Sequence, residues 1–445
     1  MWENSWLAYL VTGLLLAISS LVFVNFYVYS YWKRHGLIQA KTSFPWGSLG
    51  DFVLSKKCIH EVYDEIYKQG DGHPVIGYYS FFTPALVVRD PDLLKSILVR
   101  NYDSFSERGV YSNRAIDPLS HHLFSSPGDQ HRKMRHVLSP SFSDNKMRYM
   151  FETMQVTDPD DLMQGLRFIL SFVSPKIAKF FNMRFTPKGV SDFYIDMVDK
   201  IVNYRKSHNV VRKDFMQVLL NLNEEIEKSK ESDGREPLSL DEMASQTFLF
   251  ILAGHESTSA SLCFLLYELA VNQEMQQKLY DEIKAVDGDI TYETIKELEY
   301  MDMIFNEMLR KYPGPVLIRL CVKDFILPNG FLIRKGTQVM IPVYALQKDP
   351  KYFPQPDKFE PERFSKRAPI HEIIPFSFIP FGEGPRYCIG KRFGIASVKL
   401  GLIHILSKFK ILPASDTKIP LEIEKKTFVL NPYKDLTLKL IARDT

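Results

Sequence analysis

Cysteine is scarce in this 445-residue chain: Cys58, Cys263, Cys321 and Cys388 are the only four, and no two of them are close neighbours. That scarcity argues against a disulfide framework and against a Cys₄ or Cys₂His₂ zinc site. An excess of one charge is missing too. Lys plus Arg number 56 against 53 Asp plus Glu, so no global field draws the chain to nucleic acid or to an acidic polymer. No low-complexity tract or internal repeat is visible, and glycine (22) and proline (26) are unremarkable in number, which excludes solenoids and long disordered stretches. A Gly-rich dinucleotide or flavin fingerprint is also absent. What the chain does have is 45% hydrophobic residues, enough for a sizeable core.

Its longest charge-free run lies at the start. Residues 6–32 carry no charged side chain, and as a helix they would outrun a bilayer core of roughly 30 Å. Only Glu3 precedes the run, whereas Lys33, Arg34 and His35 follow it, the reverse of a cleaved signal peptide with its basic start. Residues 1–32 are therefore read as a membrane anchor, with the basic flank holding the rest of the chain in the cytosol. Unpaired cysteines agree with that reducing compartment. Residues 33–50 read as a basic Pro/Gly hinge built around Phe44-Pro45-Trp46-Gly47, and 51–445 as one cytosolic domain. No later charge-free run approaches the first in length, so a single span is expected.

Within the domain, β-rich runs at 75–81 and 85–88 predict a small hairpin, followed by a helix capped at Asp90-Pro91. A second hairpin is expected at 331–341, turning at Lys335-Gly336. Helical periodicity marks 56–69, 195–206, 211–222, 272–286, 294–311 and 389–409, with a charged loop at 224–237. The class is mostly α with small β-sheets. The longest helix opens at Ser239-Leu240-Asp241-Glu242, a capping box, and runs to about Asn272. It is apolar almost all round, as a helix through the centre of a large domain should be. Its middle, Ala253-Gly254-His255-Glu256-Ser257-Thr258-Ser259, should loosen it, because glycine costs about 1 kcal/mol against alanine and hydroxyls compete for backbone bonds. The pattern alone leaves open whether that stretch is a tolerated polar patch or a site.

Near the C-terminus stands Phe381-Gly382-Glu383-Gly384-Pro385-Arg386-Tyr387-Cys388-Ile389-Gly390, running directly into a helical pattern. A cysteine there meets free N–H groups and a helix dipole that favour its thiolate, the form that ligates metals. Glycines let a flat group approach the backbone, and Arg386 could hold a carboxylate.

This loop resembles the haem-binding loop of the cytochrome P-450 family, Phe-x-x-Gly-x-Arg-x-Cys-x-Gly, at every fixed position. The resemblance implies that Cys388 is the thiolate ligand of haem b iron, beside Phe381, and that Arg386 pairs with a haem propionate. Further motifs follow the family's order. Glu307-Met308-Leu309-Arg310 fits its Glu-x-x-Arg helix, with Arg363 of Phe359-Glu360-Pro361-Glu362-Arg363-Phe364 joining the pair as structural support. The segment 253–258 is similar to the oxygen-activating stretch of the central helix, with Glu256, Ser257 and Thr258 as the proton relay and Ser257 where threonine is usual. Residues 111–142 look most like the insect detoxifying microsomal branch.

Two departures stand out. His131-Arg132-Lys133-Met134-Arg135 matches the family's Trp-x-x-x-Arg only at Arg135, with His131 in place of tryptophan as the second propionate donor. After residues 146–154 the chain passes through Gln155-Val156-Thr157-Asp158 into 162–181, which resembles a segment well downstream. Several tens of residues, carrying two helices of the bundle, are expected to be missing there.

The resemblance implies a membrane-bound, NADPH- and O₂-dependent monooxygenase of the endoplasmic reticulum. A flavoprotein reductase would supply electrons, with a small b-type cytochrome as a further donor, and Lys391, Arg392, Arg132 and Lys133 would form the docking face. Residues 105–124, 248–251, 316–319 and 428–429 would line a pocket for lipophilic substrates. Two other readings stand beside it: an internally shortened, catalytically impaired chain that at most binds haem or a lipophilic ligand, and a haem isomerase or lyase that needs no reductase.

Overall fold

The computed structural model describes residues 3–139, 175–180, 182–212, 214–228, 236–286, 288–328, 330–367, 372–425, 427–433 and 436–443. The expected shortening after Met154 and most of 162–181 lie outside the described residues. The four cysteines are free.

The N-terminal helix, Glu3–Phe26, is long enough at 1.5 Å per residue to cross a bilayer core of roughly 30 Å. Its described side chains are exposed, as a lipid-facing helix requires. It ends before Trp32, however, and the charge-free run divides there. Tyr29 and Trp32 turn inward, and the Trp32 indole N–H donates to Tyr78 O at 3.1 Å. Its ring fills the space beside Gly77, where a Cβ would lie 2.2 Å from Trp32. Trp32 is thus part of the globular domain, because an indole can be buried only where its N–H finds an acceptor.

The stretch expected as a hinge is also fastened down. Ala40 N donates to Gly77 O and Gly77 N to Ile38 O, at 2.8 and 2.9 Å. Gly47 has a positive φ of 66° and touches the same strand, a Cβ there meeting Tyr79 O at 2.4 Å.

The first hairpin forms as expected, from β1 (Val75–Ser80) and β2 (Thr83–Val88). The second does not. β3 (Leu317–Leu320), β4 (Phe325–Ile326), β5 (Leu332–Ile333) and β6 (Gln338–Ile341) pair as β4–β5 on one side, while β6 lies antiparallel to β3 and parallel to β2. The turn at Lys335-Gly336 therefore sends its two flanks into different sheets, giving the order β1-β2-β6-β3 for the larger one. The C-terminal strands, β7 (Phe409–Pro413) and β8 (Leu438–Ala442), form a third sheet.

Helices make up most of the rest. Ile59–Gln69, Lys188–His208, Gln273–Lys284 and Lys391–Lys408 fall where the periodicity places them. Phe215–Lys228 runs into the stretch expected as a charged loop, since Leu219, Leu222 and Ile226 still keep one apolar face. The helix expected at 294–311 is two, Tyr292–Glu297 and Glu299–Lys311, broken at the extended Leu298. The Glu282 carboxylate accepts from Tyr300 N and Met301 N, satisfying the new helix start.

The central helix, Leu240–Val271, opens with the expected Ser239/Glu242 capping box. It is also long and apolar enough for a membrane span, yet it packs through the middle of the domain. Phe264, Leu265 and Leu269 join the largest core cluster with Ile304, Met308, Leu402 and Leu406. It does not loosen at 253–259. The Ser257, Ser259 and Ser261 hydroxyls donate to the carbonyls four residues back, at 2.6, 2.9 and 2.8 Å, so each is satisfied without breaking a turn.

Candidate active site

Backbone geometry aims the cysteine loop. Cys388 N donates to Phe381 O at 2.8 Å and closes the loop. Gly382 and Gly384 both hold positive φ, 70° and 73°. Gly384 has no room for a side chain, because a Cβ would lie 1.9 Å from Leu98 O. Cys388 comes out two residues ahead of the Gly390 cap of the Lys391–Lys408 helix, as the sequence suggested. The surface it presents is the inner wall of a large cavity, about 3040 Å³ in volume. Its surroundings are still protein, and desolvation pushes the thiol pKa up. The Gly390 N–H and the charges of Arg135, Arg108 and Lys391 act the other way and favour the thiolate.

Around this loop the chain gathers positive charge. Arg386 is buried, with Nη2 donating to Ser126 O at 2.8 Å and with Nε and Nη1 lacking a partner among the described residues. Arg135 reaches Tyr387 O at 2.8 Å and stacks 4.4 Å over the Tyr387 ring. His131, from the helix Gly128–Leu138, is buried with Nδ1 unpartnered among the described residues, and burial, then Arg386, pushes its pKa down to about 3.

Two more arginines complete the group, and sequence reasoning gave neither a role beyond lining a pocket. Arg108 donates to Phe124 O and Arg386 O at 2.9 and 3.2 Å. Arg319 on β3 is buried with Nε unpartnered among the described residues, and burial and Arg386 lower its pKa to about 10. Each residue looked like a strand end or loop cation; only the fold brings them together. Unpaired N–H donors in a desolvated positive cluster are what a dianionic, carboxylate-bearing group requires. Haem fits these residues: Cys388 would ligate its iron, Arg108, Arg135, Arg386 and His131, which line the cavity, would hold its propionates, and Arg319, which does not line it, stands beside Arg386.

Glu256, Ser257 and Thr258 line the same cavity from the central helix. Burial raises the Glu256 pKa, while the Asn431 amide, donating to Oε1 at 3.1 Å, lowers it in part. The wall is largely apolar: Phe124, Phe248, Ile251, Val316, Phe428 and Val429 contribute to it as expected. Phe105 does not. It is fully buried and packs edge-on against Phe325 at 5.2 Å.

Behind the loop lies the charge network. Glu307 and Arg310 are fully buried and bidentate, at 2.8 and 2.9 Å, and Arg363 approaches Glu307 at 3.5 Å. Alone, an i,i+3 pair on a surface contributes a few tenths of a kcal/mol; here the Glu360 N–H and the Gln347 and Lys358 carbonyls complete the satisfaction. Gln347 then accepts from Ile379 N at 3.2 Å and so ties the network to the chain entering the cysteine loop. That glutamine left no signal in the sequence.

A mostly helical domain with a cavity-facing cysteine and an arginine cradle defines the haem-thiolate class. The chain belongs to the cytochrome P-450 family, whose sequence model matches residues 42–164 and 155–439. It is 32% identical to "Probable cytochrome P-450 6d4" of Drosophila melanogaster over 513 aligned positions, covering 97% of this chain and 98% of that one. Identity is 34% to "Cytochrome P-450 6j1" of Blattella germanica, covering 90% and 91%, and 30% to "Cytochrome P-450 6A1" of Musca domestica, covering 96% of each. The relatives are insect proteins, as the resemblance suggested. An alignment of 513 positions exceeds the 445 residues available, so several tens of positions have no counterpart here. The family match is likewise in two pieces that meet at 155–164, where the shortening was expected.

Proposed function

We propose that this haem-thiolate monooxygenase is anchored in the endoplasmic reticulum membrane, faces the cytosol and inserts one oxygen atom of O₂ into lipophilic substrates, taking electrons from NADPH through a flavoprotein reductase. The observation that carries the reading is one cavity with Cys388 and unpaired basic donors on one side, Glu256, Ser257 and Thr258 on another, and apolar walls between. Bound haem supplies the activation of dioxygen, with the cysteine ligand pushing electron density toward it.

The chain's own residues do the rest. Cys388 is held at the loop exit for the iron. The arginines would neutralise the propionates, and His131, held neutral by burial and Arg386, would add a hydrogen bond that orients them. Phe124, Phe248, Val316 and Phe428 seat an apolar substrate and exclude water. Ser257 Oγ, which donates to Ala253 O, can turn that proton into the cavity, and Glu256 can replenish it. Exposed Lys391, Arg392, Arg132 and Lys133 are the proposed reductase face, with a small b-type cytochrome as alternative donor. Charge on such a rim speeds association in a salt-dependent way.

The test begins with the reduced, CO-bound difference spectrum of the membrane fraction. A thiolate-type Soret band is expected; failure to take up haem would favour the impaired, shortened chain. Product formation that requires both NADPH and reductase separates the monooxygenase from a haem isomerase or lyase.

A further inference from the structure

Asn431 sits on a short hairpin beyond the central helix. Glu424 N donates to Asn431 O at 2.9 Å and Tyr433 N to Glu422 O at 2.8 Å, with Ile423 bridged to Pro432. These bonds fix the backbone direction at residue 431. Leu430 is also buried in the main core cluster and ties the hairpin to it. Phe428, Val429, Leu430 and Asn431 all line the cavity, so the bend at 428–429 and the bridge at 432 set one continuous wall of it. From there the Asn431 amide reaches across to Glu256 Oε1 at 3.1 Å, 175 residues away in sequence. The segment that offers Phe428 and Val429 to an occupant of the cavity therefore also grips the acid of the central helix.

Resting on the monooxygenase reading above, we propose that Asn431 is a positioning residue for Glu256, and that it couples occupancy of the pocket at Phe428 and Val429 to the readiness of that acid to relay protons. An apolar occupant pressing on Val429 displaces the hairpin by its shared backbone, lengthens the Asn431–Glu256 contact and frees the carboxyl group to turn toward Ser257. With the pocket empty, the amide holds the acid aside. Only a proton and a hydrogen bond move; no co-reactant is needed beyond those of the established class.

Three variants of the full-length, haem-loaded chain test this: Asn431→Ala, Glu256→Ala and the double change. An alkoxycoumarin serves as the apolar probe, and its binding is followed by the optical difference spectrum without turnover. Because coupling is reciprocal, Asn431→Ala should bind the probe several-fold tighter, having no contact left to break. Without the probe, where only the wild type holds the acid aside, the same variant should consume NADPH about tenfold faster, the size of one hydrogen bond to a charged group. Both effects should vanish in the Glu256→Ala background, since the residue acts only through that acid.

Unchanged probe affinity and unchanged NADPH consumption without the probe in Asn431→Ala would overturn the proposal. Effects that persist undiminished in the double variant would overturn it too, reducing Asn431 to a wall residue. A wild-type chain with no thiolate-type band sinks the underlying reading instead, whereas a normal band with an inert Asn431 sinks this inference alone.

Discussion

Cys388 supplies the thiol on the cavity wall, whereas Cys58 and Cys321 are buried elsewhere in the core. Cys388→Ala should abolish the thiolate-type CO band and all turnover, while Cys321→Ala leaves the band in place; retained turnover in the first variant would refute the ligand assignment. Histidines add a pH signature. His60 and His122 are buried, and desolvation holds their pKa values down to about 4 and about 3, against 6.5 for the free side chain. Between those values the unfolded chain takes up protons that the folded chain refuses. Their neutral forms thus contribute stability that is complete above pH 6.5 and declines as pH falls toward about 4, by up to ~1.4 kcal/mol per pH unit for each histidine. Urea midpoints measured from pH 7.5 to 4.5 should fall accordingly, and His60→Gln should flatten the slope.

Elements carry the site more than single residues do. The helix Glu299–Lys311, the 3₁₀ turn Pro361–Phe364 and the cysteine loop meet at Glu307, Arg310, Arg363 and Gln347. Arg310→Ala leaves Glu307 buried without its bidentate partner and should cost about 3–5 kcal/mol, read as a lowered denaturant midpoint together with faster haem loss. Gly384→Ala should disrupt the loop in a different way, since its Cβ would overlap Leu98 O. Loss of the CO band with near-normal helix content by circular dichroism is the expected result. Strand and helix positions were mostly legible in the sequence because period-2 and period-3.6 patterns are local. The partner of β6 was not legible, for alternation reveals a strand but not which neighbour it pairs with. The hydroxyl-rich middle of the central helix misled for a related reason: satisfaction of Ser257 by its own backbone is a matter of rotamer, which sequence does not record.

For the molecule as a whole, the chain leaving the N-terminal apolar helix meets the sheet at Trp32. A chain starting at residue 27 should keep the stability of the full one, whereas a start at residue 36 removes Tyr29 and Trp32 from the core and should lose about 3–5 kcal/mol, as loss of a buried aromatic does. Thermal melts of the two truncations compare them directly. At this scale the cysteine loop, the Glu-x-x-Arg helix and the shortening were all readable in the chain, each resting on a contiguous motif. Arg108, Arg319 and Asn431 were not, because their meaning comes from neighbours more than 60 residues away. The arginine cluster has a further consequence. Desolvated cations with unsatisfied N–H groups disfavour the folded chain until an anion arrives, so a tightly held dianion stabilises the native state by mass action. Thermal melts of the haem-loaded chain should then lie above those of the haem-free chain, the cradle acting as a stabilising clasp as well as a seat for chemistry.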